Sequence, residues 1–245
     1  MKQKFSLLSL VSSHTLKPVI SICIIMASFQ AGLLYYFGVK QEELMNFNGS
    51  IQPFYAWGEH FWMELSYLIA LCGILVLCLL ENSLRNGKYT LLRLSTKETD
   101  FFLACFFNTL CCLLLLWAVE AIVLICGSYY YISVTPSDFL TNQSIFLATL
   151  YSNFLQGIFP TVNLAVWVKS MLQILLISST VASVSTSILQ GKLRKYLIGF
   201  LVFLVLNYFS SRYVESNLVF SVIYAVLLVF VLKGGLSCER EKETM

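Results

Sequence analysis

The chain of 245 residues is 58% hydrophobic and only 12% charged, with a formal net charge of +3 and a mean hydropathy of +0.78. A soluble core cannot hide that much apolar surface, so the composition excludes an ordinary soluble domain and points to an integral membrane protein. The small basic excess needs no nucleic acid to explain it, because short cytoplasmic loops of membrane proteins collect Lys and Arg.

A helix needs about 20 apolar residues to cross about 30 Å of hydrocarbon. The first 17 residues carry Phe5, Leu7, Leu8 and Leu10 before Lys17. The first long apolar run, Pro18 to Gly38, is too long for a signal-peptide core and is followed by further spans, so it is expected to be retained. Further runs cover Phe61 to Leu80, Phe101 to Cys126, Val162 to Leu189, Tyr196 to Phe209 and Leu218 to Leu232. The expected fold is therefore an all-α integral membrane protein with six transmembrane helices, a single domain over residues 1–245. The fifth run is short, which suits a hairpin or re-entrant element with the sixth.

Segment Ser144 to Pro160 is also apolar, but a seventh span there would reverse the sidedness of everything that follows. The basic residues argue against it. With six spans and both termini cytoplasmic, 13 of the 16 Lys and Arg residues fall on the inner side, leaving only Lys40, Lys169 and Arg212. The expected arrangement has a cytoplasmic segment at 81–100, an external segment at 128–161 and a cytoplasmic tail at 233–245. Tyr35, Tyr36, Trp62 and the triplet Tyr129 to Tyr131 fall near outer span ends, where aromatic rings anchor at the headgroups.

Several chemistries find no support in the residues. Seven of the eight cysteines lie within or at the ends of spans, with no CxxC pair, and read as small hydrophobes. No phosphate-cradling GxxxxGK[ST] occurs, and neither does HExxH or GxSxG. The chain is thus read as a non-enzyme with no catalytic residue, no metal and no cofactor of its own. His60, beside Glu59 and near Glu64, is too sparse a set for a metal centre.

The stretch ENSLRNGKYTLLRLSTKETDFF, residues 81 to 102, is far longer than the few residues needed to join two spans. Leu84, Leu91, Leu92 and Leu94 are apolar while Arg85, Lys88, Arg93 and Lys97 are basic, the mixed pattern of a short helix at a membrane surface or against a partner. An ordinary basic connector held to anionic lipid would look similar. Glu81, Gly87, Leu91-Leu92 and Leu94-Ser95-Thr96-Lys97-Glu98 ahead of Phe101-Phe102 resemble the corresponding stretch of ABC-2 type transporter permeases, although Ser95 stands where that family often has Pro, and Lys97 where it more often has Arg.

The resemblance covers about 25 residues and carries definite implications. It implies an amphipathic coupling helix between spans two and three that docks on a separate nucleotide-binding ATPase subunit, with Glu81, Arg85, Gly87, Leu91, Leu92, Arg93 and Leu94 as coupling residues. ATP and Mg would then be bound by that partner, and a second permease chain, identical or homologous, would complete a dimer in a bacterial plasma membrane. The resemblance also implies an N-terminal interfacial helix at 1–17, amphipathic through Phe5, Leu7, Leu8 and Leu10 before Lys17, ahead of span one. The implied activity is ATP-driven export, and the apolar interior suits an amphipathic peptide, drug or lipid-like substrate.

Ionisable residues inside a membrane are functional candidates by default. Glu120 and Lys169 both fall inside apolar runs and are expected either to pair or to line a polar substrate path, together with Asn108, Ser179 and Ser183. Ser178 to Ser187 form a hydroxyl-rich stripe that reads first as close helix packing and second as a polar surface. Two other classes stay open: an ATP-independent secondary transporter or channel, and a membrane-bound immunity or scaffold protein.

Overall fold

A computed structural model describes residues 2–36, 61–83, 98–134, 164–189, 195–207 and 214–236. Among these residues every element is a helix: α1 (Lys2–Leu33), α2 (Phe61–Ser83), α3 (Glu98–Val134), α4 (Leu164–Leu189), α5 (Lys195–Leu206) and α6 (Val214–Leu236). Helices are what apolar sequence must form here, because in hydrocarbon each backbone polar group has to be satisfied within its own segment. Among the described residues, four stretches are long and apolar enough to cross a membrane: His14–Tyr36, Phe61–Leu80, Thr99–Val134 and Leu164–Ile188.

Three of the helices run past the ends of their apolar runs. Residues 2–17, expected as a separate surface helix, run without a break into the first span, with Pro18 inside α1. Residues 128–134, expected in an external segment, continue α3. Residues 81–83 and 98–100, expected in the cytoplasmic segment, are the last turn of α2 and the first of α3. Hydropathy marks where a helix becomes polar, and a helix does not stop there unless a capping or breaking residue stops it.

At 1.5 Å per residue the 37-residue α3 is about 55 Å long, so it projects beyond about 30 Å of hydrocarbon. By contrast, α5 with 12 residues reaches only about 18 Å. Its last turn is closed by polar groups: Asn207 donates to Phe203 O through its backbone N and its Nδ2, both at 3.0 Å, and Gln173 of α4 donates through Nε2 to Leu204 O at 2.8 Å.

Contacts at two levels fix the relative directions of several helices. Gln30 bonds Ser66 while Ile22 abuts Gly73, so α1 and α2 are antiparallel. Thr15 bonds Asn108 and Gln30 bonds Glu120, so α1 and α3 are parallel. Lys169 lies over Phe220 while Ala182 and Leu232 share one apolar cluster, so α4 and α6 are parallel.

Helix α4 is the hub, packing on α2, α3, α5 and α6. Its small residues allow this, since lipid tails are as apolar as Leu and helix association in a membrane rests on close packing. Ala182 is fully buried against Phe101, Phe102, Ala104 and Cys105 of α3. An Ala182→Leu substitution is expected to lower stability by about 1–3 kcal/mol through overpacking, read as a lower thermal unfolding midpoint in detergent, while Ala182→Ser stays close to the parent.

Candidate functional site

Among the described residues, three groups of buried polar side chains reach from one helix to another. The first lies between α1, α2 and α3. Gln30 and Glu120 are both 0% exposed, and one nitrogen, Gln30 Nε2, donates to Ser66 Oγ at 3.1 Å and to Glu120 Oε1 at 3.3 Å. The Ser66 hydroxyl donates in turn to Met63 O at 2.8 Å. Glu120 Oε2 is buried and has no hydrogen-bond partner among the described residues. A carboxyl group is therefore held where three helices meet, with half of its acceptor capacity unused.

The second place ties α1 to α3 closer to their N-termini. Thr15 Oγ1 donates to Asn108 Oδ1 at 3.0 Å, and both residues are buried. The two ties between α1 and α3 sit 15 residues apart on α1 and 12 apart on α3, about 22 and 18 Å at 1.5 Å per residue. They pin the rotation of both helices about their axes, which an all-apolar contact would leave free to slip.

The third place joins α4 to α5 and α6. Lys169, 2% exposed, places Nζ 5.7 Å from the centre of the Phe220 ring, within range of a cation–π attraction. One turn further on, Gln173 makes its bond to Leu204 O. A Gln173→Leu variant removes that donor from the last turn of α5. The expected loss is about 1 kcal/mol, the scale of interhelical hydrogen bonds in membranes, measured as a shift in denaturation midpoint.

The structure thus gives Glu120 and Lys169 separate neighbours, Gln30 for one and the Phe220 ring for the other, instead of pairing them. The reason is azimuthal. Equal depth along two helices says nothing about which faces meet, and α3 turns Glu120 toward α1. Asn108 is likewise turned toward α1.

Ser179 and Ser183 are buried and bonded to their own helix, Ser179 Oγ to Leu176 O at 2.9 Å and Ser183 Oγ to Ser179 O at 2.9 Å. Ser178, Thr180, Thr186 and Ser187 do the same. Hydroxyls satisfied by their own helix leave small, nearly apolar contours for neighbours, whereas Ser185 Oγ in the same stripe is buried with no hydrogen-bond partner among the described residues.

Of the coupling residues, Glu81 lies on the last turn of α2, while Arg85, Gly87, Leu91, Leu92, Arg93 and Leu94 lie outside the described residues.

No protein-family model, curated protein or solved structure matches this chain. The reading of its site therefore rests on its own residues.

Gln30, Ser66, Thr15 and Gln173 are the site residues that the sequence reading passed over. Each had a signal available. Gln30 and Gln173 are amides inside apolar runs, where a buried polar group demands a partner. Thr15 and Ser66 are weaker signals, because small hydroxyls bond their own helix as readily as a neighbour.

Proposed function

We propose that the chain is the membrane-spanning permease subunit of an ATP-driven ABC transporter of the ABC-2 type, exporting an amphipathic substrate across a bacterial plasma membrane. The observation that carries the reading is the stretch from Glu81 to Phe102, with its acid, Gly, Leu-Leu and Ser-Thr-Lys pattern leading into α3. Its placement supports the reading. Residues 84–97 link α2 to α3, the former antiparallel and the latter parallel to α1, and this link is several times longer than the turn requires.

In this reading six spans leave both termini in the cytoplasm, and a second permease chain, the same or homologous, completes the pathway. A separate ATPase docks on the 84–97 link and closes on ATP and Mg. Its movement is transmitted to α2 and α3 as rigid levers, and the Gln30–Ser66–Glu120 bonds pass the displacement to α1. Arg85, Arg93 and the leucines 91, 92 and 94 form the contact, with Gly87 allowing the bend. A photo-activatable benzoyl-phenylalanine in place of Leu92 is expected to cross-link a protein that ATP-agarose also retains. Cross-links confined to lipid would mean that the link is only a membrane-surface connector.

One observation favours a second reading. A carboxyl group buried among three helices, as Glu120 is, is the kind of group on which an ion-coupled transporter depends. That class works without an ATPase, so the same cross-linking separates the two.

A further inference from the structure

A cluster of thiols lies where α1, α2 and α3 meet, nearer the N-termini of α1 and α3 than the Gln30–Glu120 bond. Cys23 of α1, Cys78 of α2, and Cys105 and Cys112 of α3 are all free and all buried. The Cys78 and Cys112 thiols hydrogen-bond each other across the meeting of α2 and α3, while Cys105 flanks Cys78 and Cys23 flanks Cys112. Thr15, which donates to Asn108, also reaches the Cys112 thiol.

Packing alone accounts for buried thiols, because Cys behaves as a small hydrophobe. It does not account for the unused donors among them. Cys105, Asn108, Thr109 and Cys112 follow one another at helical spacing along one stripe of α3. Asn108 Nδ2 and Thr109 Oγ1 are buried on that stripe with no hydrogen-bond partner among the described residues, and Thr109 stands beside the Cys78 thiol. Buried donors without an acceptor are costly and rare. A pair of thiolates at this place would supply acceptors of the strong, charged kind.

The number of ligands brought together selects the metal. Soft thiolates bind Cu(I), zinc and iron–sulfur clusters. Zinc and the clusters call for four ligands, whereas among the described residues no three Cys, His, Asp or Glu side chains converge on one point. Two thiols that meet from different helices suit a soft monovalent ion, which two sulfurs satisfy.

We infer that Cys78 and Cys112 form a two-thiolate site for Cu(I), with Asn108 and Thr109 as donors to the coordinated sulfurs and the metal clipping α2 to α3. Ligand exchange loads it. A Cu(I) bis-thiolate of a low-molecular-weight thiol meets the two cysteine thiols, the two cysteine protons pass to the outgoing thiolates, two Cu–S bonds break and two form. Copper stays Cu(I) and the complex keeps its single negative charge, which is why donors at the sulfurs matter in so apolar a setting. The site needs no nucleotide, so it succeeds or fails independently of the ATP-driven reading.

The test uses the full chain in nanodiscs, with Cys72, Cys111, Cys126 and Cys238 replaced by Ser, loaded without oxygen from the Cu(I) complex of glutathione and then challenged with the chelator bathocuproine disulfonate. The expected result is one copper retained per chain, with X-ray absorption showing two sulfur neighbours. Cys78→Ser and Cys112→Ser are each expected to abolish retention. Asn108→Leu is expected to weaken it about tenfold, and Cys23→Ser and Cys105→Ser to leave it within about twofold.

Copper lost from the parent as readily as from its glutathione complex would overturn the inference and leave the thiols as packing. Retention that survives Cys78→Ser or Cys112→Ser, or a copper with three sulfur neighbours, would overturn the assigned ligands. Indifference to Asn108→Leu would overturn the role given to its amide. Should a serine variant fail to yield a monodisperse protein, alanine at the same position tests the same ligand without burying a hydroxyl. Linked Cys78 and Cys112 peptides in mass spectra of protein taken from its membrane under a thiol-blocking reagent would make the pair a disulfide staple and would also overturn the inference.

Discussion

Replacing Gln30 with Leu is expected to lower the unfolding free energy in detergent by about 2 kcal/mol, whereas the double replacement Gln30→Leu with Glu120→Leu is expected to recover most of that loss. Among the described residues the amide of Gln30 supplies the one hydrogen bond of the Glu120 carboxyl, which is otherwise enclosed by α1, α2 and α3. Taking away the donor strands a buried polar group, and that penalty exceeds the net gain from making the bond. Taking away both partners leaves an apolar contact of similar shape, which the surrounding hydrocarbon tolerates. Conversely, Glu120→Leu alone strands only an amide, a smaller loss than Gln30→Leu. Chemical denaturation of the four proteins forms a double-mutant cycle. A coupling near zero would show that the bond at 3.3 Å contributes nothing to holding α1 on α3.

The same cycle bears on function. If the three helices move as levers during transport, the polar junction of Gln30, Ser66 and Glu120 is where movement of α2 and α3 reaches α1. A merely structural junction would lose stability and transport together in the single variant and regain both in the double one. A junction that also meets substrate would regain stability without regaining transport.

How much of this was legible in the sequence differs from residue to residue. The long spans were, because a run such as Phe61 to Leu80 has no other stable home than the bilayer, and α2 begins at the same residue. Helix ends were less so. Residues 2–17 and 128–134 extend α1 and α3 beyond the apolar runs because nothing in them breaks a helix. Glu120 stood out as an acid in a leucine-rich run, yet its partner did not. Depth can be counted along a sequence, whereas the direction a side chain faces depends on which helices become neighbours. Charge drew attention to Lys169, while the neutral Gln30, which weighs little in any hydropathy sum, turned out to be the group that Glu120 meets. The back-bonds of Ser179 and Ser183 in the hydroxyl stripe of α4 were legible because a small hydroxyl can satisfy itself on the preceding turn, while nothing in the sequence marks Ser185 as the hydroxyl that does not.

The second large effect is expected at Leu91 and Leu92. Two aspartates in their place put charge where an apolar contact with the ATPase is proposed, and a desolvated unpaired carboxylate in an interface typically costs several kcal/mol, enough for essentially complete loss of a micromolar or weaker complex. The span helices lie outside this substitution, so the variant should insert and fold as the parent does, which near-identical gel-filtration profiles would confirm.

The measurement that tests the account most directly is gentle purification of the tagged chain from its native membrane, parent beside the Leu91→Asp, Leu92→Asp variant, with mass spectrometry of what accompanies each. A P-loop ATPase present with the parent and absent from the variant is the predicted result. Parent and variant that both purify without any ATPase would contradict the ATP-driven reading and move attention to Glu120 as the centre of an ion-coupled mechanism.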